Sequence, residues 1–132
     1  MAMRANWRRA VPTDLIFLLG RILLGGAFLV AGLRNIVNRE KLITLMASRK
    51  VPNARPITLA GIGFQTLCGG LMMLGVLTPW AALGEAVFLI AATLIVHPYW
   101  MFPKAEQGPH IGATLINTGL VGAFLMLAAV TF

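Results

Sequence analysis

The sequence predicts an all-α integral membrane protein, a four-transmembrane-helix bundle that forms a single membrane domain over residues 1–132. Three observations carry that class. The first is composition: the 132 residues are 58% hydrophobic and only 11% charged, with a mean hydropathy of +0.83. Soluble domains average about 45–50% apolar and about 25% charged, and a soluble chain this short has too little interior to hide so much apolar surface. The second is distribution, since the apolar residues gather into four runs that approach or exceed the roughly 20 residues needed to cross a hydrocarbon layer of about 30 Å. The third is punctuation, with prolines and aromatics marking the joints. In lipid each segment must satisfy its own backbone N–H and C=O groups, so each run is read as a helix.

The chain opens with a basic tail, residues 1–13, carrying Arg4, Arg8 and Arg9. It resembles the n-region of a signal peptide. The apolar run behind it is too long for an h-region and ends in no A-x-A-like site, so the run is expected to stay as a span. That first span covers about 15–37 and contains "LLGRILLGGAFLVAGL", apolar but for Arg21. The joint at 38–56 is long and basic. Within it Leu42, Leu45 and Met46 fall at i, i+3 and i+4 beside Lys41, Arg49 and Lys50, a pattern that suits either a short amphipathic helix on the headgroup layer or a solvated loop. The second span is about 57–77 and the third about 80–96. The "TPW" between them places Pro79 in a first helical turn, and so short a joint makes these two helices antiparallel neighbours. "HPYWMFP" closes the third span with two prolines and interfacial aromatics. The fourth span is about 111–130. Gly25, Gly26 and Gly32 in the first span, and Gly61, Gly63, Gly69, Gly70 and Gly75 in the second, allow the close backbone approach that holds helices together in lipid.

The formal net charge of +7 does not indicate nucleic acid, because the cations lie between apolar runs and form no basic stripe with interleaved aromatics. Their expected partner is the anionic headgroup layer of the bilayer. Arg34, the long joint and Lys104 together carry seven Lys/Arg against three in the tail, which by the positive-inside rule puts the joint in the cytoplasm and both termini outside. The lone Cys68 cannot form an internal disulfide or a Cys-x-x-Cys pair and reads as a packing residue.

Polar residues within the spans are the candidates for function, since a charge at mid-bilayer costs at least about 2.5–3.5 kcal/mol on insertion scales. Arg21 either snorkels to the interface or faces inward toward Glu85, Gln65 or a ligand. Glu85 sits early in the third span, where a solvated carboxylate near the helix N-terminus is the simpler expectation. His110, Thr114 and Asn117 form one stripe on the fourth span, and His97 reaches the same membrane face. No third ligand has convincing spacing to the two histidines, so no metal is expected. Imidazole and amide groups could instead donate to the carbonyl oxygens of a quinone headgroup. No catalytic triad, P-loop, dinucleotide fingerprint or carboxylate dyad is present.

In their order these pieces resemble the DoxX family of small four-span membrane proteins. The matching stretches are "GRILLGGAFLVAG", "GGLMMLGVLTPWAAL", "LIVH" and "INTGLVGAFLML". The resemblance implies membrane redox chemistry, as some relatives are subunits of a thiosulfate:quinone oxidoreductase. By position it carries over Arg21, His97 and Asn117. The family's span-two glutamate is Gln65 here, its first-span lysine is Asn35 beside Arg34, and basic residues of the pattern are replaced by Pro79 and Ile116. Glu85 stands outside the pattern. The expected function is that of an integral membrane subunit, in a bacterial cytoplasmic (inner) membrane, that supports quinone-linked electron transfer. Arg21, Gln65, His97 and Asn117 are the quinone-binding candidates, and Glu85, His110 and Thr114 are secondary. No covalently bound cofactor is expected, and redox centres would come from a partner protein. The alternative is a non-catalytic scaffold subunit that packs against other membrane chains or a second copy. A small transporter is disfavoured because no internal repeat or broken-helix pair is visible.

Overall fold

The structure, a computed structural model, describes residues 13–132. The tail with Arg4, Arg8 and Arg9 lies outside the described residues. The elements are α1 (Thr13–Val37), α2 (Arg39–Ser48), α3 (Ala54–Leu74), α4 (Thr78–Val96), a 3₁₀ turn (Tyr99–Met101) and α5 (Lys104–Thr131). Four of the helices are long and apolar enough to span a bilayer, as the sequence predicts, and no strand occurs among the described residues.

The closest helix pairs are α1 with α3 and α4 with α5. Glycine sets the first pair. A Cβ on Gly25 would lie 2.6 Å from the Met73 nitrogen, and one on Gly69 would lie 2.5 Å from the Leu29 nitrogen, so these backbones meet with no side chain between them. The α3–α4 hairpin predicted from its tight joint is present, though its helices touch less extensively than either close pair. Phe28, Met72, Leu89, Phe124 and Leu127 fill the centre, with the Phe28 and Phe124 rings edge to face at 4.7 Å. Large apolar side chains such as Leu23, Val87, Leu115 and Met126 stand exposed around the outside, as lipid contact requires. Trp80 with Phe132 marks one end of the bundle, and Tyr99 with Trp100 marks the other.

Helix boundaries differ from the sequence expectation, most plainly at the end of α3 and the start of α5. α3 stops at Leu74, three residues short of the predicted span, because Gly75 (φ 78°) closes it in a left-handed cap. The Val76 N–H donates to the Leu71 carbonyl and the Gly75 N–H to the Met72 carbonyl, the Schellman pattern. α5 starts at Lys104 and runs through Pro109, well before the predicted start near 111. Its 28 residues extend about 42 Å at 1.5 Å per residue, so its first turns lie at headgroup depth. The long joint settles as a helix: α2 turns Leu42, Leu45 and Met46 half-buried toward the bundle and leaves Arg39, Glu40 and Lys41 exposed.

Candidate functional site

The candidate residues occupy separate levels of the bundle. At the hairpin end, the Arg21 guanidinium lies directly over Gly75, where a Cβ would collide with it. Gly75 therefore serves both the left-handed cap and the space that Arg21 occupies. This sets a cation against the carbonyl end of α3, where the helix dipole favours positive charge. The Arg21 Nε is buried without a hydrogen-bond partner. Arg21 does not join Glu85 in an ion pair; among the described residues the one ion pair is the exposed Arg55–Glu40 contact at 2.8 Å.

Beside Arg21 runs a groove of about 690 Å³ between α1 and α5. Gly20, Leu24 and Phe28 form one wall and Leu120, Ala123 and Leu127 the other, and among the described residues Arg21 is the only charged one that lines it. None of the other candidates reaches it.

Deeper in the membrane, Gln65 is buried and its Oε1 accepts a hydrogen bond from Asn35 Nδ2 at 3.0 Å. These are the two positions where the family resemblance leads one to expect glutamate and lysine. The bundle brings them together as a neutral amide pair.

Asn117 donates to the Thr93 hydroxyl at 2.9 Å, and Thr93 in turn donates to the Leu89 carbonyl at 2.6 Å. Thr114 donates to the His110 carbonyl of its own helix. The stripe read on α5 is thus divided, with Asn117 linking α5 to α4 and Thr114 satisfied within α5.

At the basic end, the Nδ1 atoms of His97 and His110 lie 3.0 Å apart, so one ring donates its proton to the other. Phe102 stacks on His110 at 4.1 Å. Arg49 lies over Phe102 at 4.9 Å and donates to the Val96 carbonyl at 3.3 Å. Among the described residues no three His, Cys, Asp or Glu side chains group as metal ligands.

Glu85 corrects the simpler expectation. It is fully buried at 0% exposure, not a solvated group near a helix start. The face of α4 that carries it also carries Ala81, Ala82, Ala86 and Leu89, all core residues, and the small alanines leave room for the carboxyl.

The DoxX family model matches residues 16–98. The chain belongs to the DoxX family. Among curated proteins and solved structures nothing matches it. The part of this DoxX protein that matches runs from α1 to the end of α4 and includes Arg21, Gln65, Glu85 and His97; His110, Thr114 and Asn117 follow it.

Sequence reasoning missed Asn35, Arg49, Thr93 and Phe102 as partners of the candidates. Thr93 carried a signal, since it precedes His97 by one helical turn on the same face. Arg49 comes from a distant joint, and no local pattern links it to the histidines.

Proposed function

We propose that this DoxX protein is a membrane subunit for quinone-linked electron transfer that holds the quinone in the α1–α5 groove. The observation behind this reading is a long apolar groove with, among the described residues, a single charged one, Arg21, in its lining. The apolar walls suit an isoprenoid tail. The guanidinium suits a headgroup carbonyl oxygen, donating to it and stabilising the negative charge that grows there on reduction. Gln65, Asn117 and His97 are engaged elsewhere, so in this reading they hold the helices that frame the groove. Electrons come from a cofactor-bearing partner protein at the membrane, which we take to be a bacterial cytoplasmic membrane.

The test is binding of a short-tailed benzoquinone to the purified full chain in lipid nanodiscs, followed by tryptophan quenching. Losing a hydrogen bond to a charged group costs about 1.5–3 kcal/mol, so Arg21→Ala should weaken binding about 10- to 100-fold. Arg21→Lys should retain part of the affinity. Unchanged binding by a folded Arg21→Ala protein would sink the proposal.

The second reading is a scaffold whose groove receives a transmembrane helix of another chain. What favours it is the same groove, open along α1 and α5 beside their Phe28–Phe124 contact. In that reading the isolated chain binds no quinone, and filling the groove with Ala123→Trp dissociates a co-purifying chain.

A further inference from the structure

We propose that Glu85 is an intramembrane proton-binding site: its carboxyl holds a proton inside the bundle and exchanges it with water or a base admitted to the core. This inference stands apart from the quinone reading and uses none of its residues.

The geometry is unusual for a structural carboxyl. Glu85 is at 0% exposure, and neither of its oxygens has a hydrogen-bond partner. A carboxylate serving the fold would be tied to an arginine, a lysine or several N–H groups, because an isolated buried charge is very costly. Here the surroundings are Ala81, Ala82 and Ala86 on its own helix, with Met72 and Phe124 in the same core. The α4 N-terminus offers little help, since Glu85 lies two turns in and the dipole effect fades within the first turn.

Few charged or titratable groups are placed to change this. α3 contributes Cys68, buried in the same core, a thiol that is ordinarily neutral near pH 7. α1 contributes Arg21, whose guanidinium is held at Gly75. α5 has no ionisable side chain between Leu120 and Phe132, and α4 has no other over its length. A lone acid in such a place is stable in its neutral form, and ionisable residues within membrane spans commonly mark proton relays. The step involves no redox change. The carboxyl O–H bond breaks, the electron pair stays on the carboxylate, and the proton passes to water or base.

The chain suits a direct test because it has only four acidic residues. Glu40 and Glu106 are exposed and Asp14 is not a glutamate. Full-length protein labelled with ¹³C at the glutamate carboxyls is placed in liposomes and its infrared spectrum recorded from neutral to strongly alkaline pH. The expected result is a ¹³C-shifted protonated-carboxyl band at neutral pH, equivalent to one glutamate per chain. It should vanish at alkaline pH, return on back-titration and be missing in Glu85→Gln. No such band at neutral pH would mean an ionised Glu85 and overturn the proposal. A band that persists unchanged to strongly alkaline pH would mean a sealed acid that exchanges nothing, and would overturn it equally. The assignment holds without the variant, because the other two glutamates are exposed to solvent and Glu85 alone lies inside the core.

Discussion

Arg21 and Gly75 were each visible in the sequence, one as a cation in an apolar run and the other as a glycine before a turn. Their contact was not, because it joins the ends of two helices more than fifty positions apart and depends on how α1 and α3 register. The Asn35–Gln65 pair teaches the same point. Each looked like a lost charge, yet the fold places them 3.0 Å apart, so each neutral amide has a partner in the other. A charge cycle tests this. Gln65→Glu or Asn35→Lys alone buries an unpaired charge and should destabilise the protein by about 3–5 kcal/mol. The double variant should recover most of that loss in unfolding titrations, and a strictly additive loss would refute the pairing.

At the level of elements, the spans were legible because apolar length alone defines them. Their ends were not, because a Schellman cap at Gly75 and a proline-tolerant start of α5 override hydropathy there. The joint at α2 was ambiguous for a related reason: three apolar side chains suit a loop or a helix until a surface exists to receive them. Helix pairing can be tested through the glycines. Gly25→Ala and Gly69→Ala each put a methyl against backbone and should cost about 1–3 kcal/mol by overpacking. Gly63→Ala and Gly119→Ala have nothing within 4 Å of the added carbon and should be neutral or slightly stabilising. Equal losses at all four positions would mean that α1 and α3 do not pack as described.

At the scale of the molecule, the described residues show a marked polarity of charge. Arg39, Lys41, Lys50, Arg55 and Lys104 are exposed, and all belong to the end formed by α2 and the α4–α5 joint. The fold therefore gathers these five cations at one face, and the positive-inside rule predicts that this face lies in the cytoplasm. A cysteine placed by Ser48→Cys on exposed α2 should resist a membrane-impermeant maleimide in intact cells and react once the membrane is opened. Reaction in intact cells would reverse the orientation. The candidate site was less legible than the fold, because its residues are scattered over α1, α3, α4 and α5 and the groove beside Arg21 needs side chains of both α1 and α5.

The glycine seam between α1 and α3 also has a consequence for biosynthesis. Gly25 and Gly69 are separated by about 44 residues, and synthesis at about 5–20 residues per second makes the first wait about 2–9 s for the second. During that interval α1 stands in the membrane with Arg21 uncovered and its closest neighbour still in the ribosome. Insertion machinery or surrounding lipid must shelter it until α3 arrives.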